Sequence, residues 1–530
     1  MYIEKSNDPP SMFWPKVRNT ALYLLPLSNN VSNNELISPE NEKDTNEYWF
    51  SPNTSTSLQN ILLKFKDVFL RLFIFLLPSP LHSFLKPAHF KPPLRLHPSS
   101  YLDGLRGYAS LFVFICHYTG WHFKWYMMPY GLHPEGDTIL SSPLQLPFLR
   151  VIYAGSPMVH IFFVISGFVL SYKPLKLARK HDFAALDASL ASSVFRRTMR
   201  LFLPTTVSTF IVVLFVQAQW MPPSLAGAFT TFRGQLYDWW NAVRTTDFAR
   251  YDVHLWTIPT ELSHSMLLFL VITGLSRCKV RIRLALLAGI MLYCLKGIHW
   301  AAFEFMGGMA IAEIGFLQMD RQDRRSKEGE KTEEDDKITS AFTQIFWLLN
   351  FLLALYIAGW PDTLDQELYT DEFSTNTFSP FPSSFGTFVS FPWFAIAALQ
   401  IVLSCQQMPI LQRFFNTGIA QYLGNISYAL YLVHGPLMEV FQGKGMRQVW
   451  WIVGGQEGVG RRMVAWVVGL LLIGTPVLWA SDLFTRAVDA KCVKFARWLE
   501  GICFIDSTTK TVPSLNGTLA GFQVDVEIAK

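Results

Sequence analysis

The stretch Tyr101-Leu-Asp-Gly-Leu-Arg-Gly-Tyr-Ala-Ser-Leu-Phe-Val-Phe-Ile-Cys-His117 decides how the rest of the chain is interpreted. On an α-helix that turns about 100° per residue, the eleven steps from Arg106 to His117 return to nearly the same face, about 16 Å along the axis. If Arg106 lies at the cytoplasmic edge of a membrane helix, His117 lies near the middle of the bilayer. Ionisable groups at that depth are costly, which favours a reactive or binding role for His117. A histidine that is merely hydrogen-bonded to a neighbouring helix is the alternative.

The composition is typical of a membrane protein built from helices. Of the 530 residues, 50% are hydrophobic, 15% are aromatic and 16% are charged. Several apolar runs approach the roughly 20 residues that a membrane-spanning helix requires. The predicted fold class is therefore all-α, a polytopic membrane protein with a bundle of about ten transmembrane helices. The net charge of +5 is small, and basic cytoplasmic loops account for it, so we expect the lipid bilayer and not nucleic acid as a partner.

The chain divides into three parts by composition. Residues 1–99 are predicted to form a cytoplasmic, largely flexible N-terminal segment that is rich in polar residues and proline. Within it, residues 59–78 interleave charged residues with leucine and phenylalanine, which predicts a helix lying on the membrane surface; a further span is the alternative. Residues 100–485 are predicted to form the membrane domain, and residues 486–530 a cytoplasmic C-terminal tail.

Ten membrane spans are predicted from the apolar runs. They cover approximately residues 105–126, 157–172, 200–219, 259–276, 282–298, 300–318, 342–359, 387–405, 419–440 and 463–484. Basic residues concentrate after the second, fourth and last of these spans, which predicts that these segments and both termini are cytoplasmic. The chain is expected to be an integral, multi-pass membrane protein; endoplasmic reticulum, Golgi and plasma membrane are equally compatible with the sequence.

Two arginines at the start of the third span predict a phosphate-binding face. In Phe195-Arg-Arg-Thr-Met-Arg-Leu-Phe-Leu-Pro204, Arg197 and Arg200 are three positions apart and share one face of a helix. Each guanidinium can bind phosphate oxygens bidentately. Ordinary anchoring by cytoplasmic positive charge explains the pair equally well when the pair is taken alone. Because Arg106 is predicted on the same side of the membrane, phosphate binding is the better interpretation.

The segment His254-Leu-Trp-Thr-Ile-Pro-Thr-Glu261 predicts a helix start on the non-cytoplasmic side of the fourth span. Glu261 would then lie just inside the membrane edge. Three explanations stay open for it: stabilising the helix N-terminus, hydrogen-bonding a polyhydroxyl substrate, or partnering a histidine. A functional role is favoured.

A second intramembrane histidine, His434, is predicted in the ninth span, one turn from Tyr431. A substrate contact and a hydrogen bond between helices explain it equally well. The pair Ser166-Gly167 predicts close helix packing rather than a serine nucleophile. No metal-ligand spacing occurs and the six cysteines are scattered, so no metal site is predicted.

Five short segments occur in order between residues 100 and 485: Leu102-Asp-Gly-Leu-Arg-Gly with the Arg106-to-His117 spacing, Phe162-Phe-Val-Ile-Ser-Gly-Phe, Arg196-Arg-Thr-Met-Arg-Leu-Phe-Leu-Pro, Leu255-Trp256 through Glu261, and Ser427-Tyr-Ala-Leu-Tyr-Leu-Val-His-Gly-Pro. Together they resemble the motifs of acyltransferase family 3, whose members are integral membrane enzymes that acylate hydroxyls of sugars, glycans and some small molecules. Each motif is weak alone, but five in order are specific, and their style resembles fungal members. His160 departs from the acidic residue that bacterial members often carry before the Phe-Phe pair, so a role for this position is in doubt.

The resemblance implies roles for the matching positions. Arg106 and His117 match a pair implicated in acyl transfer, and Arg197 and Arg200 match an Arg-x-x-Arg motif that would bind the phosphates of acyl-CoA. Acyl-CoA, with acetyl-CoA as the expected donor, is then the co-substrate, and no cofactor is permanently bound. The acceptor is a hydroxyl-bearing small molecule or glycan.

A reaction can be outlined from these residues. A neutral imidazole suits a general base at neutral pH, so His117 is expected to deprotonate the acceptor hydroxyl; a transient acyl-histidine is the alternative. Arg106 and Glu261 complete the predicted catalytic set. The acceptor is expected to enter past Glu261 and Trp256, and the predicted substrate-binding residues are Trp256, His434 and Tyr431.

Two other classes of function stay open. A transporter also uses intramembrane histidines and arginines, but the sequence has no obvious repeated halves and no paired broken helices. A non-catalytic scaffold could keep the same helical bundle, although the intact Arg106, His117, Arg197 and Arg200 argue against it. Consumption of a thioester would indicate the enzyme, and flux of an unmodified substrate would indicate the transporter.

Overall fold

The computed structural model describes residues 54–85, 96–127, 130, 142–221, 231–297, 299–328, 333–360 and 390–504. Every regular element within these ranges is helical, which confirms the predicted all-α class. Most of the predicted flexible N-terminal segment and the end of the predicted C-terminal tail lie outside the described residues.

The helices are numbered here in chain order. They are α1 (Thr54–Leu76), α2 (Ser79–Leu85), α3 (Ser100–His122), α4 (Lys124–Met127), α5 (Gly155–Arg179), α6 (Phe183–Gln217), α7 (Phe232–Thr245), α8 (Thr257–Leu275), α9 (Val280–Lys296), α10 (Trp300–Glu328), α11 (Glu333–Ala358), α12 (Phe391–Gln407), α13 (Pro409–Phe415), α14 (Gly418–Val453), α15 (Val459–Phe484) and α16 (Ala490–Cys503). Two 3₁₀ turns, Phe248–Arg250 and Val253–Trp256, precede α8. A π-helical turn, Thr485–Asp489, joins α15 to α16.

Several of these helices are long and apolar enough to cross a bilayer. Within the described ranges six helical segments meet that standard, and the sharply bent pair α12 and α13 would make a seventh. Each of the ten predicted spans overlaps a helix, but α3, α9 and α14 are not among the six. The protein is a polytopic membrane protein, and its number of spans stays a prediction.

The helix predicted at the membrane surface is present as α1. The part of α1 that belongs to the unit of residues 1–68 exposes apolar side chains, among them Phe65 with an exposed fraction of 70%. In the unit formed by residues 69–530, the end of α1 docks on α15, where Trp479 Nε1 donates to the carbonyl oxygen of Leu76 at 2.6 Å. The location of α1 on a membrane surface stays a prediction.

Helices α3 and α14 pack against each other almost backbone to backbone. A Cβ atom added to Gly107 would lie 2.3 Å from the amide nitrogen of Gly424, and one added to Gly424 would lie 2.3 Å from the carbonyl oxygen of Asp103. Ser110 Oγ donates across this contact to the carbonyl oxygen of Ser427 at 2.8 Å. Small residues permit this close approach in membrane helices, where packing rather than water exclusion holds helices together.

A second close contact joins α5 to α10. A Cβ atom added to Gly167 would lie 2.3 Å from the carbonyl oxygen of Phe305, and one added to Gly308 would lie 2.2 Å from that of Val164. This contact confirms the predicted packing role for Gly167 of the Ser166-Gly167 pair.

One buried carboxylate ties three helices together. Glu313 on α10 accepts from Arg179 of α5 at 2.6 Å and from Arg283 of α9 at 2.9 Å. Glu313 and Arg283 are almost fully buried. Removing Glu313 would leave the buried charge of Arg283 without its carboxylate partner, so the three residues fix the relative positions of their helices.

Replacing Gly107 by valine should prevent α3 and α14 from packing, because the side chain would occupy space that the backbone of α14 fills. We expect a low yield of monodisperse protein in detergent, and a lower melting temperature for the fraction that folds. Gly120 is the matched control: it lies on the same helix, and among the described residues nothing is within 4 Å of an added Cβ. Gly120→Val should stay within about 0.5 kcal/mol of wild type. Size-exclusion chromatography and thermal melting measure both; equal behaviour would refute the packing role.

Candidate active site

Three histidines from distant parts of the chain meet in the interior. His117 lies on α3, His434 on α14 and His254 in the 3₁₀ turn Val253–Trp256. Ring centroids are 4.1 Å apart for His117 and His254, 4.8 Å for His254 and His434, and 5.4 Å for His117 and His434. His254 and His434 are buried, and His117 is partly exposed. We call these three residues the histidine cluster.

A carboxylate and a glycine hold His254 in the cluster. The Nδ1 atom of His254 lies 2.6 Å from Asp252 Oδ1, and the backbone N–H of His254 donates to the same oxygen at 3.1 Å. A Cβ atom added to Gly435 would lie 2.6 Å from His254 Nδ1 and 2.9 Å from Asp252 Oδ1, so the glycine after His434 lets α14 pack directly on the pair. A carboxylate bound at Nδ1 assigns the proton to that nitrogen, so Nε2 of His254 carries the lone pair.

His434 is oriented in the same way by backbone groups. Its Nδ1 lies 3.0 Å from the carbonyl oxygen of Leu430 and 2.8 Å from that of Tyr431. A carbonyl can only accept, so Nδ1 carries the proton and Nε2 the lone pair. Within the part of the chain that the structure describes, this buried Nε2 has no hydrogen-bond partner.

Tyr431 fastens the cluster to the start of α8. Its hydroxyl lies 2.5 Å from Thr257 Oγ1 and donates to the backbone carbonyl of His254. The substrate contact predicted for Tyr431 is not tested by this arrangement. The bonds that it makes hold the turn carrying His254 against α14.

Arg197 and Glu261 form an ion pair between α6 and α8. Arg197 Nη2 lies 2.5 Å from Glu261 Oε1, and Ser166 Oγ of α5 donates to the same oxygen at 2.8 Å. Arg197 Nε also donates to Ser265 Oγ at 3.3 Å. The carboxylate of Glu261 therefore accepts from two helices, and Ser166, interpreted from sequence only as a packing residue, is one of its donors.

This ion pair corrects the predicted positions of the two charges. The sequence placed Arg197 at the cytoplasmic edge and Glu261 at the opposite edge, and that prediction is wrong, because the side chains touch. Helix α6 begins at Phe183, so Arg197 lies well inside it rather than at its start. The 3₁₀ turns before α8 also bring His254 into contact with His117, which the sequence placed at a different depth.

Arg106 and Arg200 lie in the same charged region as Arg197. Arg106 Nε donates to Ser427 Oγ and its Nη2 to the carbonyl oxygen of Gly424, both at 3.0 Å. The guanidinium groups of Arg197 and Arg200 lie close enough to Arg106 for their like charges to repel it. Arg200 is exposed, and among the described residues it makes no hydrogen bond or ion pair, so its donors are free for a ligand. We call Arg106, Arg197 and Arg200 the arginine region.

Two residues singled out from the sequence lie outside the histidine cluster. Trp256 has an exposed fraction of 42% and contacts the ring of Trp300, with centroids 6.2 Å apart. His160 is fully buried, and its Nδ1 contacts the Glu304 carboxylate. The acidic partner of His160 therefore comes from α10.

The site contains residues that the sequence did not single out. Asp252 was not identified, and His254 served only to mark the start of a motif. The Asp252-Val-His254 spacing carries a usable signal, since a side chain two residues away can reach the imidazole within a tight turn. Nothing in the sequence indicated that this turn would fold against α14.

Helix α3 joins the two halves of the site. Arg106 in the arginine region and His117 in the histidine cluster are about 16 Å apart along its axis. One half offers guanidinium donors suited to phosphate groups, and the other offers imidazole lone pairs suited to accepting a proton.

Comparisons with known proteins identify the family. Residues 99–486 match the family model described as an acyltransferase domain, that of acyltransferase family 3. The chain is 31% identical over 448 residues to the O-acetyltransferase PaAT-1 of Phomopsis amygdali, covering 77% of this chain and 86% of that protein. It is 27% identical over 469 residues to the acyltransferase R4 of Phoma sp., covering 76% and 97%. No solved structure matches. The chain therefore belongs to acyltransferase family 3 and is a membrane-embedded acyltransferase.

Proposed function

We propose that the protein moves an acyl group, with acetyl as the expected group, from acyl-CoA to a hydroxyl of a sugar, glycan or small-molecule acceptor. The observation that carries the proposal is helix α3, which joins a phosphate-suited arginine region to a proton-accepting histidine cluster. The relative from Phomopsis amygdali is named an O-acetyltransferase, which supports both the acetyl group and the hydroxyl acceptor.

The donor binds at the arginine region, with no permanently bound cofactor. Arg200 is exposed and supplies unengaged donors to the phosphates of CoA. Arg197 and Arg106 contribute positive charge from positions that Glu261 and Ser427 hold. Arg106 is predicted at the cytoplasmic end of α3, so the donor is proposed to enter from the cytoplasm, the side on which both termini are predicted.

His117 acts as the general base. Its imidazole takes the proton of the acceptor hydroxyl while the hydroxyl oxygen attacks the thioester carbonyl. The carbon–sulfur bond then breaks, the ester is formed, and the departing thiolate of CoA takes the proton back from the imidazolium. Partial exposure of His117, in contrast to the buried His254 and His434, supports its being the ring that substrate reaches.

The remaining predicted residues position the acceptor. The ring of His434 lies beside that of His117, so both imidazoles meet the acceptor hydroxyl. The backbone carbonyl of Tyr431 holds the His434 ring through its Nδ1 atom. Glu261 keeps Arg197 in place, and Trp256 offers an exposed apolar face on the route inward. Membrane transport by the same bundle has no observation in its favour beyond the intramembrane charges themselves.

Replacing His117 by glutamine should lower the rate of acyl transfer by about 10²- to 10⁴-fold, the usual contribution of a general base, because the amide cannot accept the proton. Release of CoA thiol from acetyl-CoA by detergent-purified protein, supplied with a panel of hydroxyl acceptors, measures the rate. His264→Gln is the control, since His264 is bonded to the Thr260 carbonyl on the same α8 turn and lies outside the cluster. A correctly inserted His117→Gln protein with wild-type transfer would refute the base.

Replacing Arg200 by alanine should weaken binding of CoA by about 10- to 100-fold, the value of one charged hydrogen-bonding contact. Calorimetric titration with CoA measures it. Arg196→Ala is the matched control, because Arg196 is on the same helix but pairs with Glu500 at 3.3 Å. Equal affinity in the two variants would place the donor elsewhere.

A further inference from the structure

We propose that His117, His254 and His434 form a binding site for a divalent transition-metal ion of the zinc class, and that a metal bound there inhibits acyl transfer. The binding stands on the geometry alone, and the inhibition rests on the proposed function, in which His117 is the base. The sequence predicted no metal site, because the three ligands come from three separate elements and have no spacing pattern.

The three imidazoles are close enough to share one ion. One nitrogen atom from each ring lies within 4.8 Å of the other two. With zinc–nitrogen bonds of about 2.0–2.1 Å, the nitrogens of a tetrahedral site are roughly 3.4 Å apart, so the rings must draw slightly together. His117 can make that movement, since within the described residues no hydrogen bond fixes its ring. Three protein ligands leave a fourth position for water.

Two of the three rings already make the second hydrogen bond that is typical of a metal-binding histidine. Metal-binding histidines donate their second ring N–H to a carboxylate or a backbone carbonyl, which fixes the tautomer and orients the ring. His254 has that bond to Asp252, and His434 has it to the carbonyls of Leu430 and Tyr431. Both Nε2 atoms therefore keep a lone pair that can bind an ion.

The unpartnered nitrogen of His434 points to a ligand. A buried polar atom is almost always hydrogen-bonded, so one without a partner in the described part of the chain calls for a group that the polypeptide does not supply. An ion would satisfy it, and the Asp252 carboxylate behind His254 would offset part of the ion's charge. Imidazole ligands without thiolate suit zinc and its neighbours copper, nickel and cobalt, rather than magnesium or calcium.

Metal binding and base catalysis exclude each other at His117. The nitrogen lone pair that bonds to an ion cannot accept the proton of an acceptor hydroxyl. An occupied site therefore blocks acyl transfer until the metal is removed, and the enzyme in its active form holds three metal-free histidines.

Equilibration of the full-length, detergent-purified protein with Zn²⁺, followed by desalting and elemental analysis, tests the binding. We expect one zinc per chain in wild type and in His264→Ala, which removes a histidine outside the cluster. His254→Ala should lose the metal. Asp252→Asn keeps the shape of the side chain that bonds to His254 Nδ1 but not its charge, and this variant should bind zinc 10- to 100-fold more weakly. Substitution with Co²⁺ should give the visible absorption of a four-coordinate ion in wild type. No zinc in wild type, or equal zinc in wild type and His254→Ala, would overturn the site.

The inhibition is measured separately, as acetyl transfer with and without Zn²⁺. We expect loss of transfer at the concentration that fills the site and recovery on adding a chelator. Zinc bound at the cluster with transfer unaffected would overturn the inhibition and contradict the role of His117 as base. Failure to bind zinc, by contrast, would leave the His117→Gln result to decide the proposed function by itself.

Discussion

The close contact between α3 and α14 is the constraint on which the site depends. Gly107 and Gly424 leave no side chain between the two backbones at the end of α3 that carries Arg106. Arg106 can therefore reach Ser427 and the carbonyl of Gly424 directly. Further along the same pair of helices, the same proximity places the rings of His117 and His434 with centroids 5.4 Å apart. Side chains of ordinary size at these glycines would separate both contacts at once.

The segment before α8 adds the third element of the site. Its two 3₁₀ turns fold inward, and Gly435 leaves room for the Asp252–His254 pair against α14. The Tyr431 hydroxyl then holds the turn through the backbone of His254. Burying polar groups is costly without partners, and here Asp252 bonds to His254, the carbonyls of Leu430 and Tyr431 accept from His434, and the Tyr431 hydroxyl donates to the carbonyl of His254. The Nε2 lone pair of the buried His434 is left without a partner in the described part of the chain, so it is available for chemistry.

The helix class and the helical spacing of Arg106 and His117 were predictable from the sequence, whereas the tertiary pairings were not. A backbone inside a bilayer must satisfy its own hydrogen bonds, and a helix does so within one segment. The all-α class therefore followed from the long apolar runs. The spacing of Arg106 and His117 on one helix is local and survived in α3. Arg197 with Glu261 and His117 with His254 are contacts between helices, which no spacing in the chain encodes. Helix length added a further error, because α6 begins fourteen residues before Arg197, in a stretch with Asp187 and three serines that the predicted span left out.

The central claim is that one site spans the arginine region and the histidine cluster along α3. A cryo-electron microscopy structure of the protein bound to CoA tests it most directly. We predict density for the phosphates beside Arg200 and for the pantetheine arm running along α3, with its thiol ending next to His117 and with His254 and His434 in contact. Phosphates bound away from Arg200, or a thiol remote from the three histidines, would contradict the claim.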